Sequence, residues 1–233
     1  RRTQRHGDTP INDQPHSTRY VDLYDWEDGD MVDDQDKIRM LVDPTSDYVK
    51  AMVASLNRAK DDVIISSLGG NSRSTSGNII LPTAQKIAVG GTNLTKAKII
   101  QAKTLFRTNE ADEEAGEELY MLYNAAAAAQ ILADTTLTST DYLAGQFLRE
   151  GSVRGKWMGF NWIPTERCPK VSTTRFLYAY AKSGVTLGKG ADIMTKVGED
   201  PGKGFNVRIY AKMSIGSVRV EEEKVVEIAC LEP

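Results

Sequence analysis

The spacing of apolar positions changes character along the chain, and each change predicts a different element. Residues 1 to 19, RRTQRHGDTPINDQPHSTR, hold a single large aliphatic side chain, Ile11, and predict an extended segment that cannot build a core alone. From Thr18 to Trp26, TRYVDLYDW alternates apolar and polar groups with a period close to two, as one strand of a hairpin whose turn falls within Gly7 to Pro15. A short helix-like piece covers Asp36 to Leu41. A long helix follows from Thr45 to Leu68: Tyr48, Met52, Leu56, Ala59 and Val63 recur at helical spacing, Val49 and Val53 widen the stripe, and Lys50, Asn57, Arg58 and Asp61 point elsewhere. Asp43 or Thr45 can cap it, Pro44 suits its first turn, and Gly69 with Gly70 stops it. Such a helix is about 36 Å long at 1.5 Å per residue.

Beyond it, NSRSTSG (71 to 77) has loop composition and NIILPTAQKIAVGG reads as one strand and a turn. Leu94, Ala97, Ile100 and Leu105 predict a second helix ending near Thr108, and Glu110 to Glu118 an exposed acidic linker. Then the texture shifts to a buried strand, ELYMLY, with Asn124 capping a helix, AAAAAQILA, and a further helix over Ser139 to Leu148. Trp157, Phe160, Trp162 and Ile163 crowd the segment 155 to 168. The tail is strand-rich, at 175 to 181, 205 to 216 and 224 to 231. Helix first, strands last and an α/β stretch between them predict an inserted lobe, with the first and last parts of the chain closing another.

Charge sharpens the picture at the front. Arg1, Arg2, Arg5 and Arg19 make the first segment basic, whereas Tyr20 to Asp36 carries eight carboxylates and no lysine or arginine. A basic arm followed by an acidic strand suits identical copies that clasp one another, so Arg1, Arg2, Arg5, Arg19, Asp22, Asp25, Glu27 and Asp28 are the candidate subunit-interface residues. Over all 233 residues the formal net charge is only −3, which argues against holding nucleic acid by bulk phosphate neutralisation. Cys168 and Cys230 are isolated, and two lone thiols fit a reducing compartment better than a disulfide framework. No apolar run suits a membrane span. The chain opens on Arg and shows no signal-peptide pattern, so its true beginning is expected to be cleaved or missing from this sequence.

Candidate chemistry is thin. His6 and His16 both fall in the front arm, without the fixed partner and pocket that a catalytic imidazole needs, and no Cys/His cluster, HExxH or EF-hand ladder can be assembled. GVTLGKG (184 to 190) approaches a phosphate loop, but three residues rather than four separate the first glycine from Gly188, and Gly190 stands where a Ser or Thr is needed, so an ordinary glycine turn is expected. DPGKGF (200 to 205) reads as a tight turn between strands. The Glu113, Glu114, Glu117 and Glu118 cluster has nothing to desolvate it and reads as a solvated face. Trp157, Phe160 and Trp162 read as core, since basic residues do not interleave with them as base-stacking would require. Neither cofactor nor metal is expected.

Four blocks carry a family resemblance: RHGDTPI with HSTRYVDLYDW; DDQDKIRMLVDPTSDYVKAMVASLNRAKDD; DYLAGQFLREGSVRGKWMGFNWIPTE; and YAKMSIGSVRVEEEKVVEIAC. Together they span nearly the whole chain, which resembles a major capsid protein of a tailed bacteriophage with the Hong Kong 97-type coat fold. The resemblance implies an α+β subunit: an extended hairpin arm (1–32), a spine helix with the first part of a peripheral lobe (33–115), an inserted α/β axial lobe (116–200), and the strands that return to the peripheral lobe (201–233). It implies a non-enzymatic coat protein that self-assembles through pentamers and hexamers into an icosahedral shell around double-stranded DNA, in the virion capsid, assembled in the bacterial host cytoplasm. Portal, scaffolding and decoration proteins are the implied further partners, and a membrane is not. Two other readings stay open: an encapsulin-like cargo compartment, and a nucleotide-binding enzyme using Lys189 and its neighbouring glycines.

Overall fold

A helix of 25 residues, α1 (Thr45–Gly69), is the longest helical element in the computed structural model, which describes residues 16–33, 45–133 and 155–232. The expected turn within 7–15, the helix-like piece at 36–41, the start signals Asp43 and Pro44 and the helix at 139–148 lie outside the described residues. Met52 and Leu56, from the expected stripe, are buried, but so are Ile65 and Leu68. Nine positions separate Leu56 from Ile65, about two and a half turns at 3.6 residues per turn, so the two pairs face opposite sides of the helix. Consequently α1 lies between two hydrophobic cores.

The smaller core contains Met52, Leu56, Ile209, Ala211, Met213, Ile215 and Val32. It forms where α1 lies against a three-stranded antiparallel sheet in the order β11 (Val185–Asp200), β12 (Asn206–Arg219), β2 (Tyr24–Val32). Along β12, every second residue from Ile209 to Ile215 faces the helix, the period-two burial that a strand imposes. β11 and β12 form one long hairpin, in register from Val185 opposite Arg219 to Asp200 opposite Asn206, with irregularities between Lys189 and Met194 that locally bend β11. At its tip the Asp200 side chain accepts from the Gly202 amide at 3.0 Å, and the expected DPGKGF turn is present as a single 3₁₀ turn.

The larger core collects Ile65, Leu68, Phe106, Leu119, Met121, Phe160, Trp162, Leu177, Val226 and Ile228, among others. Its sheet is mixed and seven-stranded, in the order β5 (Lys86–Ile87), β13 (Val225–Leu231), β10 (Thr174–Ala181), β6 (Leu119–Tyr123), β8 (Phe160–Pro164), β7 (Lys156–Trp157), with β9 (Lys170–Val171) also paired to β10. Two helices accompany it, α2 (Lys96–Thr108) and α3 (Ala125–Ala133), and Asn124 caps α3 by accepting from the Ala127 amide at 3.0 Å. Phe160 and Trp162 are core residues as expected, and Trp162 stacks at a tilt on Trp157 with ring centroids 5.3 Å apart.

Several segments differ from expectation. β12 returns to the long helix, whereas β13 pairs with β10 instead, and β11 joins β12 rather than the strands that precede it. NSRSTSG is a hairpin, β3 (Ser72–Ser74) and β4 (Gly77–Ile79), with Ser72 and Ser74 buried. The acidic stretch 110–118 is exposed at Glu110, Glu113, Glu114 and Glu118, as expected, but it is also paired: Arg107 reaches Asp112 at 2.8 Å and Glu114 at 2.6 Å, Lys103 pairs with Glu113, Lys224 reaches Glu117 at 3.1 Å, and Lys182 reaches Glu118 at 3.1 Å. Two of these cations, Lys182 and Lys224, are remote in sequence, which composition does not reveal. Cys168 and Cys230 are free and buried, and burial pushes their thiols up to about 12 and about 11.

Candidate assembly surface

The front segment enters the described structure at His16 and forms β1 (Arg19–Tyr20), which pairs antiparallel with β3. It then crosses the base of the long hairpin before β2 begins at Tyr24. Glycines make this crossing feasible. A methyl group on Gly216 would stand 2.0 Å from the Asp22 carbonyl oxygen, and one on Gly188 would stand 2.8 Å from a Val21 methyl. Neither contact leaves room for a side chain. The segment GVTLGKG, expected as a turn, therefore belongs mostly to strand β11, and Gly188 and Gly190 are the seat of Val21 and Leu23. This close crossing interrupts the predicted single strand over Thr18 to Trp26 and leaves β1 and β2 on either side.

Charge anchors the root of the segment. Arg19 Nη2 donates to both carboxylate oxygens of Glu222 at 3.1 Å, with the side chains only 10% and 17% exposed. Glu222 also lies 3.9 Å from the Nε of Arg219, a fully buried guanidinium. Arg219 donates through Nη1 to the carbonyls of Leu68 at 2.8 Å and Gly70 at 2.7 Å, and through Nη2 to that of Ile79 at 3.0 Å. Carbonyls at a helix C-terminus lack intrahelical donors and attract cations, so Arg219 acts as the cap that α1 does not carry in its own last turn. Burial lowers the Arg219 pKa, and the nearby Glu222 carboxylate opposes that shift. One carboxylate thus joins the front segment to the arginine that closes the long helix.

The candidate interface residues separate into groups. Arg1, Arg2 and Arg5 lie outside the described residues. Arg19 is engaged within the subunit by Glu222, and Asp22 by Arg73 at 2.8 Å, with Arg73 also lying over the Tyr20 ring. Asp25, Glu27 and Asp28 lie on β2, an edge strand of its sheet among the described residues. By register, Asp28 shares the helix-side face with Ala211, whereas Asp25 and Glu27 share the opposite face with Ser214 and Lys212. Glu27 accepts a hydrogen bond from the Tyr210 hydroxyl, which raises the phenol's pKa. Tyr24, on the same strand, is 63% exposed.

Sequence reasoning missed Glu222 and Arg219. An arginine two residues before an acidic run reads as surface, and its partners are mostly backbone carbonyls, which leave no trace in side-chain pattern.

Alternative chemistry finds little geometry. Lys189 bonds Asp192 at 3.2 Å on the bulged part of β11, where Lys60 of α1 also pairs with that carboxylate. These partners hold the Asp192 carboxyl well below the usual carboxylate range, Lys60 contributing most. Among the described residues no cluster of His, Cys, Asp and Glu has metal-holding geometry, and no helix is long and apolar enough to cross a membrane.

A long helix between two cores, a mixed sheet, a long hairpin and an extended front segment define the class: a coat subunit of the Hong Kong 97-type fold. The structure is similar to the capsid of cyanophage P-SCSP1u, with a TM-score of 0.69 at 15% identity over 99% of this chain and 81% of that one. It is similar to a chain of Mycobacterium phage Che8, with a TM-score of 0.68 at 18% identity over 88% of this chain and 70% of that one. The holo-SrpI encapsulin complex from Synechococcus elongatus PCC 7942 shares the fold at a TM-score of 0.58 and 10% identity, over 96% of this chain and 84% of that one. No curated protein matches the chain. A sequence model of the phage capsid protein family matches residues 1–232, and the chain belongs to that family. It is a structural shell protein of the virion capsid, not an enzyme.

Proposed function

We propose that this coat protein assembles through pentamers and hexamers into a closed icosahedral shell around double-stranded DNA in the bacterial host cytoplasm, alongside portal, scaffolding and decoration proteins. Family membership over residues 1–232 is the observation that carries this reading. The net charge of −3 is in keeping with it, because a strongly basic wall would bind duplex and oppose its packing and exit.

Within the subunit, we assign residues 1–32 to an extended arm, the region from 33 to 115 to a spine helix and peripheral lobe, 116–200 to an axial lobe and 201–233 to returning strands. Strand pairing argues for moving two strands across those bounds, since β11 of the axial stretch pairs with β12 of the returning strands and β13 of the returning strands pairs with β10 of the axial stretch. In the arm, Arg19 and Asp22 act as the root, through Glu222 and Arg73. Arg1, Arg2 and Arg5 of one copy then reach the acidic strand of the next, where Asp25, Glu27 and Asp28 lie. Each such exposed pair contributes only about 0 to 1 kcal/mol, but shell symmetry repeats every contact.

An encapsulin-like cargo compartment is the second reading, favoured by the encapsulin likeness. Nuclease treatment of particles produced in an infected host separates the two. Protected double-stranded DNA is expected of the phage shell, and protected cargo protein without DNA would favour the compartment.

A further inference from the structure

Two guanidinium groups share one carboxylate where the front segment is rooted. Arg19 and Arg219 both face Glu222, and because arginine keeps its proton, two cations stand against a single anion. The other carboxylate that acts on Arg219, Glu227, is already engaged by Lys86 at 3.5 Å and by the Tyr178 hydroxyl. Next to Glu222, Glu221 pairs with Lys224 at 3.2 Å and Glu223 is exposed. A buried positive charge left in excess is costly unless a counter-charge reaches it.

Three buried polar atoms in the same part of the fold make no hydrogen bond among the described residues: Arg19 Nε, Arg219 Nε and Ser72 Oγ. Strand register explains their proximity. Arg19 lies opposite Ser74 in the β1–β3 ladder, so Arg19, Ser74 and Ser72, two residues before Ser74, share one face. Ser72 lies opposite Ile79 in turn, and Arg219 reaches the carbonyl of Ile79 through one nitrogen and that of Gly70, two residues before Ser72, through another. Arg219 therefore spans the backbone on both sides of Ser72. Its Nε, 3.9 Å from Glu222, is too distant to bond that carboxylate. All three atoms can donate, and none is in contact with solvent.

We infer that Arg19, Arg219 and Ser72 bind a halide ion, chloride in ordinary media. Negative charge is what the two guanidiniums lack, and an acceptor is what the three donors lack. A water molecule would supply the acceptor and leave the charge unbalanced. Enclosure selects a monatomic anion, since phosphate or sulfate would carry polar oxygens into a place closed to solvent. The ion would bridge β1 of the front segment to the arginine that caps α1, so the identity of the salt, and not only its concentration, would set how firmly residues 16–24 are seated. The inference is independent of the shell reading.

Melting of the unassembled full chain in sodium chloride and in sodium gluconate at equal ionic strength tests it, because screening is then the same in both. The wild type is expected to melt about 2–4 °C higher in chloride, the shift that a ligand several-fold above its dissociation constant gives a chain of this size. Ser72→Ala and Arg19→Gln are each expected to abolish that difference, the first by removing a donor and the second by leaving Glu222 and Arg219 balanced. Crystals grown in bromide are expected to show an anomalous peak within hydrogen-bonding distance of Arg219 Nε. Equal melting of the wild type in the two salts would overturn the inference. So would a Ser72→Ala chain as stable as the wild type in chloride, the result expected if Ser72 were only an unsatisfied hydroxyl.

Discussion

Arg219 donates to the carbonyl of Leu68 at 2.8 Å across 151 positions of sequence, so the end of the long helix is closed by the last residue of β12. Glu222 stands behind Arg219, and Arg19 beyond Glu222. The chain's front segment, its central helix and its late strands therefore meet at one network of charge.

Truncating that network at its centre is expected to be severe. Arg219→Ala leaves the carbonyls of Leu68, Gly70 and Ile79 without their donor and Glu222 without its nearer cation, and removing a buried partner costs roughly 1–3 kcal/mol per stranded group. A loss of about 3 kcal/mol or more in denaturant unfolding of the unassembled subunit is the predicted result. Arg219→Lys recovers only part of it, since an ammonium does not reproduce the planar fork that reaches carbonyls on both sides. A change below 1 kcal/mol for Arg219→Ala, itself no more than an ordinary surface substitution, would contradict the capping role.

Gly216→Ala tests the crossing of the front segment. Its methyl would overlap the Asp22 carbonyl at 2.0 Å, a backbone atom that cannot swing aside. Residues 16–24 are expected to lift off, with faster amide hydrogen exchange and new protease sites there, while exchange in β10 and β13 is unchanged. Gly188→Ala meets a Val21 methyl instead and is predicted to have the milder effect. Equal protection of residues 16–24 in Gly216→Ala and wild type would show that the segment is not seated on that glycine.

Reversing Arg1, Arg2 and Arg5 to Glu is expected to leave the subunit folded and to depress particle formation, most strongly at low salt, where repulsion from the acidic strand reaches furthest. Circular dichroism reports the fold and sedimentation the particle yield. Undiminished yield across salt concentrations would remove the electrostatic clasp.

Asp192 predicts a pH dependence with a defined sign. Its folded carboxyl is depressed below the ordinary 3.8 by Lys60, the Ile193 amide and Lys189. A depressed carboxylate contributes stability in full above its unfolded value, and that contribution is lost as pH falls toward the folded one. Asp192→Asn is thus expected to melt below wild type at pH 7, with the two curves converging beneath pH 3.8. A gap that persists or widens in acid would exclude the Lys60 and Lys189 pairs as its source.

How legible this was from sequence depended on the range of the interaction. Met52 and Leu56 emerge from helical periodicity because their neighbours on the helix are local, and Asn124 is recognisable as a cap because it bonds three residues ahead. Ile65 and Leu68 escaped the stripe because the helix buries a second face against a different core, and a single-face search averages the two away. Gly188 drew attention as part of a phosphate loop, yet glycine composition cannot tell a ligand from the chain's own backbone passing overhead. Arg19 looked like part of an intersubunit clasp because its net sign was visible, whereas Glu222, which engages it, lies 203 positions away.

Electron microscopy of the purified chain under assembly conditions tests the central claim most directly. Closed particles of uniform diameter, with clusters of subunits around symmetry axes, are the predicted result for the wild type. Small oligomers alone, under every salt, pH and crowding condition tried, would contradict it.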